Sequence, residues 1–226
     1  MADFFKRKKF LKPLLTYYID MESTVSQAQM QYFKRFPLLS DYPKKFVLKD
    51  GREVIIRPMV KEDTDNLYDF FSKLDSDDKM FLRDDVSRKE TIIKWGENLN
   101  YDIVLPIIAI FNDKIVADGT LHASNYFWTR HVAEIRIVVA KDFRNLGLGK
   151  KIVSELFFNA VKRGFKKVIA QVPFHQLNTI RIFESLGFEK EAILRKHIMI
   201  KGKGLSDLLI MSCFTDKVIQ NLKVSI

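Results

Sequence analysis

A strand, a glycine-containing loop and a helix follow one another directly in residues 134–162. The β-branched residues 135–139 predict a strand, and apolar residues spaced three and four apart predict a helix beyond residue 149. The intervening loop reads Arg144-x-x-Gly147-x-Gly149. Because the first amides of a helix have no intrahelical partner and its N-terminus is partially positive, this stretch is predicted to bind phosphate.

The loop residues suit that ligand. Gly147 and Gly149 lack the Cβ that would keep a pyrophosphate away from the loop amides, and Arg144 and Lys150 can add positive charge. The sequence contains neither GxxxxGK[ST] nor GxGxxG followed by an acidic residue about twenty positions later. The alternative is a tight strand–helix connection without a ligand.

The chain of 226 residues can hold one sizeable domain and an appendage. Its formal net charge of +10 is concentrated toward the N-terminus. We expect residues 1–45 to form a basic helical N-terminal extension, with a helix over residues 21–36. This extension either contacts a membrane surface or partner, or packs on its own domain or a second subunit. Residues 46–226 form the main domain.

Several classes of protein are disfavoured. No apolar run approaches the ~18 residues that span a bilayer, and the N-terminus makes a poor signal peptide. The single cysteine, Cys213, excludes an intrachain disulfide framework, fits a cytoplasmic location and is expected to be buried and inert. The four histidines show no metal-ligand spacing, so no metal is expected. A nucleic-acid partner is not expected, since the charge excess beyond residue 45 is modest.

The remaining segments predict a mixed α/β fold. A hairpin turns at Asp50-Gly51, and helices are predicted over residues 61–74 and 87–99, the second with Ser87 as its N-cap. A second hairpin turns at Asn112-Asp113. After the phosphate-binding stretch come a strand at 167–172, a helix at 176–186, and strands at 188–201 and 205–215.

This order of elements, together with the Arg-x-x-Gly-x-Gly loop and the ending Phe183-Glu184-Ser185-Leu186-Gly187-Phe188, resembles the GNAT superfamily of N-acyltransferases over residues 46–215. The opening, LKDGREVIIRPM, is similar to the acetyltransferase domain of bacterial protein lysine acetyltransferases. The resemblance implies a mostly antiparallel twisted sheet with helices on both faces. It also implies acetyl-CoA as co-substrate.

The resemblance assigns the cofactor-binding residues. The pantetheine arm would run beside Val138, Val139 and Ala140, with an oxyanion donor at a backbone N–H near Val139. The CoA pyrophosphate would lie on the loop formed by Arg144, Asn145, Leu146, Gly147, Leu148, Gly149 and Lys150. Gln176, where the family often has asparagine, Asn178 and Phe183 would contact the cofactor from the next helix. Phe183 stands where many members have the tyrosine that protonates the departing thiolate, and all seven tyrosines lie at or before Tyr126.

Glu134 is the predicted catalytic base. Strand alternation places Glu134 and Arg136 on one face, and a glutamate at the equivalent place deprotonates the amine in similar lysine acetyltransferases. The alternative is a salt bridge between Glu134 and Arg136. His131 could relay protons, although a strand-edge position is favoured. Asp207 could bind an amine or fix the turn at residues 202–204, and the turn is favoured.

The predicted reaction is direct transfer of an acetyl group to a primary amine. The acceptor is a protein lysine or a small amine or amino acid, and the enzyme could form a homodimer. A non-catalytic acyl-CoA-binding regulatory module is the alternative suggested by Phe183 and Gln176. A nucleic-acid-binding module that uses the basic N-terminus ranks last.

Overall fold

The computed structural model describes residues 37–79, 82, 84–200, 202 and 204–216. Within them, the strands are β1 (Lys44–Val47), β2 (Glu53–Pro58), β3 (Val104–Phe111), β4 (Lys114–Ala123), β5 (Val132–Val139), β6 (Lys167–Pro173), β7 (Glu189–Ile200) and β8 (Gly204–Phe214). The α-helices are α1 (Thr64–Ser72), α2 (Ser76–Lys79), α3 (Lys89–Glu97), α4 (Leu148–Lys162) and α5 (Leu177–Glu184). Short 3₁₀ helices cover Pro37–Leu39, Lys61–Asp63, Phe127–Thr129 and Lys141–Phe143.

The eight strands form one sheet in the order β1-β2-β3-β4-β5-β6-β8-β7. Neighbouring strands run antiparallel except β5 and β6, which are parallel. A parallel pair needs a crossover connection, and α4 provides it between β5 and β6. The predicted mixed, mostly antiparallel sheet is therefore confirmed.

Helices cover both faces of this sheet. A Cβ added to Gly119 on β4 would lie 2.4 Å from Cγ2 of Ile152 and 2.9 Å from Cδ1 of Leu156, so α4 lies directly on that face. The side chain of Val138 points to the opposite face because residues alternate along a strand. There it packs against a core cluster that includes Leu67, Phe70 and Phe71 of α1.

The two predicted hairpins are confirmed. Gly51 has φ 87° in the turn between β1 and β2, and Asn112 and Asp113 have φ 47° and 59° between β3 and β4. Positive φ at both central residues gives a two-residue turn the twist that matches its flanking strands. Cys213 is buried, as predicted.

The predicted cap of α3 is wrong. The helix begins at Lys89 with Arg88 as its N-cap and no side-chain capping bond. The Ser87 hydroxyl instead donates to Oδ1 of Asp85. Before α1, the carboxylate of Asp63 accepts a hydrogen bond of 2.8 Å from the Val60 amide and so supports the start of the 3₁₀ helix Lys61–Asp63.

The chain divides into two units between Ser40 and Asp41, and β1 begins at Lys44. The helix predicted over residues 21–36 and the basic run of residues 6–9 lie outside the described residues, so the N-terminal extension of residues 1–45 stays a prediction. Among the described helices, none has the length and apolar character needed to cross a bilayer.

A buried carboxylate joins the first strand to α4. Glu155 accepts hydrogen bonds from the Tyr42 hydroxyl at 2.8 Å and from Nζ of Lys44 at 2.7 Å, and pairs with Nζ of Lys151 at 2.7 Å. Burial acts to raise the pKa of Glu155, but the two ammonium groups outweigh it and the pKa lies below its usual value. The charged carboxylate is thus the stable form in the folded protein.

We expect Glu155→Gln to lower the free energy of unfolding by about 2–3 kcal/mol, less than for a fully buried pair because both lysines still reach water. The loss is measured by urea unfolding at pH 7. Because the folded-state pKa is depressed, this contribution is present above about pH 4.3 and disappears as the pH falls further. Glu184→Gln, which breaks a pair with exposed Lys190, is the control and should cost under about 0.5 kcal/mol. Equal losses in both variants would contradict the assignment.

Candidate active site

Strands β5 and β6 separate soon after they begin. They pair at only three positions, Val132–Lys167, Ala133–Val168 and Glu134–Ile169. Beyond them β5 continues along β4 to Val139, and β6 continues along β8 to Pro173. The sheet therefore opens a gap between the second halves of two adjacent strands.

The backbone of β5 presents hydrogen-bonding groups to this gap. Val132 accepts from Ser124 and the Ala140 amide donates to Val116, so the backbone groups of even-numbered residues point toward β4. By alternation, those of Ile135, Ile137 and Val139 point into the gap. The amide N–H of Val139 thus has the direction expected of an oxyanion donor.

The loop after β5 has the left-handed conformations that an anion-binding loop uses. Asn145 has φ 60° and Gly147 has φ 90°, and Gly147 directly precedes α4. Successive amides in such a loop converge, and the first-turn amides of the helix add to them. The β1–β2 turn supports the loop, because the Lys49 amide donates to the Leu146 carbonyl at 3.2 Å.

Gly149 lies at the entrance to the gap and has no side chain that could block it. A Cβ at this position would lie 3.1 Å from Cδ1 of Ile182 on α5 and 3.7 Å from Cγ2 of Val139. The space beside residue 149 therefore lies between the end of β5 and the last turn of α5. A pantetheine arm that ran beside Val139, as the resemblance implies, would pass through this space.

Arg144 does not direct its guanidinium at the loop amides. Its Nε donates to the Val139 carbonyl at 2.9 Å and its Nη2 pairs with Asp78 of α2 at 2.5 Å. The side chain thereby fixes the end of β5 to α2. The described contacts of Arg144 are structural, and its predicted role on the pyrophosphate stays untested.

A cavity of about 1580 Å³ passes through the gap and reaches both faces of the sheet. The predicted residues that line it are Glu134, Val138, Val139, Arg144, Asn145, Gly149, Gln176, Asn178 and Phe183. Five others do not: Ala140 packs against the α1 core, and Leu146, Gly147, Leu148 and Lys150 lie in the loop or the first turn of α4. The structure therefore brings most of the predicted site together around one cavity.

The residues of α5 occupy different positions around the cavity. Gln176 is the N-cap of α5, and its amide oxygen accepts from the Thr179 hydroxyl at 3.4 Å. Asn178 is exposed. Phe183 is 1% exposed and its ring centroid lies 5.0 Å from that of Phe188. Phe183 is thus part of the core wall and carries no hydroxyl that could protonate a thiolate.

Glu134 forms the ion pair that was the alternative to a catalytic role. Nε of Arg136 lies 3.0 Å from its Oε1, and Nη2 lies 3.4 Å from its Oε2. The pair is half-buried in the cavity wall, with His122 opposite Glu134 on β4. The side chain of His131, just before β5, is exposed and does not line the cavity.

Three cavity residues on β4 were missed by the sequence reasoning. Asp118, Thr120 and His122 lie opposite Val138, Arg136 and Glu134, so they share the face of Glu134. Nε2 of His122 and the Thr120 hydroxyl are 2.9 Å apart. The alternation within residues 114–123, next to the Glu134 strand, was the signal that could have found them.

The other predicted polar residue has a structural contact. The Asp207 carboxylate accepts a hydrogen bond of 2.8 Å from the amide of Lys196, which has φ 51° in an irregular part of β7. This contact supports β7. Lys201 and Lys203 lie outside the described residues, so the predicted role of Asp207 at the turn stays a prediction. Over the described part of the chain, no three His, Cys, Asp or Glu side chains are grouped as metal ligands.

Comparisons with known proteins agree with this geometry. The sequence model of the acetyltransferase (GNAT) family matches residues 66–188, more than half of the chain. The smu.2055 protein of Streptococcus mutans UA159 is 27% identical, with a TM-score of 0.60 over 71% of this chain and 98% of that one. The ribosomal-protein-alanine N-acetyltransferase of Brucella melitensis is 24% identical, with a TM-score of 0.61 over 70% and 98%. The yncA protein of Salmonella typhimurium, solved with its cofactor acetyl-CoA, is 20% identical, with a TM-score of 0.60 over 72% and 94%.

Gly149→Trp is expected to abolish binding of coenzyme A, because the indole would fill the space between Val139 and Ile182. Titration calorimetry with coenzyme A measures the loss, and at least a 100-fold rise in Kd is expected. Phe158→Trp is the matched control, since Phe158 lies on the same helix and is 40% exposed. Retained affinity in the Gly149 variant would place the cofactor elsewhere.

Proposed function

The chain belongs to the acetyltransferase (GNAT) family, and we propose that it transfers the acetyl group of acetyl-CoA to the side-chain amine of a lysine on a protein. As a member of this family it is an acyltransferase with acetyl-CoA as co-substrate. The acceptor class and the roles of individual residues are the proposed part.

The loop end of the cavity suits the cofactor. The left-handed residues Asn145 and Gly147 lie directly before α4, and Gly149 in its first turn has no side chain beside Val139 and Ile182. From there the amides of Ile137 and Val139 follow the gap toward the middle of β5. These amides can pair with the pantetheine arm and polarise a thioester carbonyl.

The other end of the cavity suits an amine. Glu134, Arg136 and His122 line it from the sheet, and Lys94 of α3 faces it from the other side. Glu134 lies four residues before Val138, which is about 13 Å along a strand. We therefore assign Glu134 as the residue that finally receives the amine proton, through an intermediate group and not by direct contact.

An exposed aromatic turn supports a protein acceptor and is the observation that carries the proposal. Tyr126, Phe127 and Trp128 follow one another between β4 and β5 and are 71%, 80% and 79% exposed. The guanidinium of Arg130 lies 4.3 Å from the Phe127 ring centroid. Exposed neighbouring aromatics of this kind mark contact sites for proteins. The turn joins the strand ends that carry His122 and Glu134, so a polypeptide bound there could present a lysine to the cavity.

The departing thiolate receives no proton from a tyrosine of α5, because Phe183 stands there. A cysteine thiol has an ordinary pKa of about 8.5, so a thiolate is a weak base and a good leaving group near neutral pH. Transfer can therefore proceed without a dedicated general acid.

The acceptor class is tested by release of the CoA thiol in the presence of lysine-containing proteins, peptides and small amines. We expect protein-bound lysine to give at least a tenfold higher kcat/KM than free amines. The double variant Phe127→Ser/Trp128→Ser should lower kcat/KM for protein about 10- to 100-fold through KM, which is the size of a binding hot spot. Phe214→Ser, at an aromatic 48% exposed on β8, is the control.

Two outcomes would replace the proposal. Equal or better turnover of free amines would make the protein a small-molecule acetyltransferase. Binding of coenzyme A without thiol release on any acceptor would make it a regulatory module.

Glu134→Gln is expected to lower kcat about tenfold with little change in the Kd for acetyl-CoA, since Glu134 acts only on the acceptor proton. Stopped-flow thiol release and calorimetry give the two values. Glu189→Gln, on the exposed strand β7, is the matched control. An unchanged kcat in the Glu134 variant would remove this residue from the reaction.

A further inference from the structure

Asp118 is a buried carboxyl group without a described hydrogen-bond partner. The residue is 8% exposed, and its Oδ1 has no partner among the described residues. Leaving a buried polar atom unpaired costs on the order of 1–3 kcal/mol. Such a group calls for an explanation in terms of function or a ligand.

Its position is next to the reacting end of the gap. Asp118 lies directly opposite Val138 on β5, and side chains opposite one another have Cβ atoms about 5 Å apart. Val138 is flanked by Ile137 and Val139, whose amides point into the gap. Asp118 also lines the cavity, on the face from which the acceptor would enter.

We propose that Asp118 binds the ammonium group of the acceptor beside the thioester and takes its first proton. This inference rests on the proposed function and deepens it. Asp118 accepts one proton from R–NH3⁺, the nitrogen forms a bond to the thioester carbon, and the C–S bond breaks. The second nitrogen proton leaves as the amide forms and goes to the thiolate, which gives R–NH–CO–CH3 and CoA–SH.

The other polar residues on this face provide a route by which the proton taken by Asp118 can leave. Thr120 and His122 follow on alternate positions of β4 and are hydrogen bonded, and His122 lies opposite Glu134. Asp118 is thus the inner end of a polar row that leads toward Glu134. This row explains how Glu134 can receive the proton although it lies about 13 Å along β5 from Val138, which is opposite Asp118.

The surroundings of Asp118 give it the properties of a base at neutral pH. Burial alone raises the pKa of the Asp118 carboxyl to about 7. Its direct strand neighbours, Ile108 and Val138, are apolar, and α1 turns Leu67 and Phe71 toward this face. Among the described residues, the charged groups on the surrounding elements include Glu134 and Arg136 on β5, Arg57 of β2 with Asp63, Asp78 of α2 with Arg144, Asp84, and Lys94 on α3.

Asp118→Asn tests the proposal through the pH dependence of kcat/KM with a lysine-containing protein. In the wild type, kcat/KM should fall below an apparent pKa near 7 as Asp118 becomes protonated. The Asn variant should lose this step and be at least 100-fold slower at pH 8, the scale of a lost general base. The Kd for acetyl-CoA should not change. Asp69→Asn, on the exposed side of α1, is the control.

Asp118→Leu separates a catalytic role from a structural one. Removing an unpaired buried carboxyl should raise the melting temperature at pH 8 while activity is lost. The stability of the wild type should also fall as the pH rises from about 4 to 7, because the folded-state pKa is raised, and both variants should lose this slope.

Three results would overturn the proposal. The first is an Asn variant within threefold of wild-type kcat/KM and with the same pH profile. The second is loss of activity accompanied by equal losses of stability and cofactor affinity, which is a structural effect. The third is a wild-type protein that releases no CoA with any acceptor, and this result alone also removes the proposed function.

Discussion

The separation of β5 from β6 is the constraint on which the site depends. A strand inside a sheet normally pairs on both edges, because an unpaired backbone group away from water costs as much as a lost hydrogen bond. Here β5 pairs with β4 along its whole length but with β6 at only three positions. Strand β8 holds the far edge of β6, so the sheet stays continuous while the gap persists. A ligand with amide groups of its own can complete the ladder, as a peptide does when it adds to a sheet edge.

The two faces of the sheet have different roles in the proposed site. On one face α4 lies against β4, and its first turn and the loop before it form the proposed cofactor end. On the other face α1 and its apolar neighbours cover a strand row that contains polar residues. A purely apolar row under α1 would pack better and would leave no buried polar atom without a hydrogen-bond partner. Enzymes commonly accept such local instability where a polar group is needed for chemistry, and the buried network around Glu155 stabilises the opposite side of the molecule.

A structural feature could be predicted from the sequence when the residues that produce it are neighbours in the chain. The hairpin turns and the Gly147 loop followed from residues adjacent in the chain, and each was found. The Ser87 cap failed because Asp85, two residues away, bonds the same hydroxyl. Arg144 pairs with Asp78, 66 residues away, and no pattern in the sequence reveals that contact. Asp118 precedes a glycine, as in a turn, and this hides the alternation of residues 114–123 to which it belongs. The pairing of β4 with β5 then shows that this alternation forms a buried row.

Gly119 shows how a residue that need not touch the cofactor could still limit its binding. No ligand contact is needed for this residue to matter, since any side chain there would meet Ile152 and Leu156 and push α4 off the sheet. The start of α4, with its amides, would move with the helix. Position 119 is therefore expected to tolerate almost no substitution, although it lies in the middle of a strand in which Asp118 and Thr120 are polar and Ala117 and Leu121 are apolar. If the loop binds phosphate through its backbone, as we propose, the sequence constraint falls on the glycine beneath α4 and not on the loop side chains.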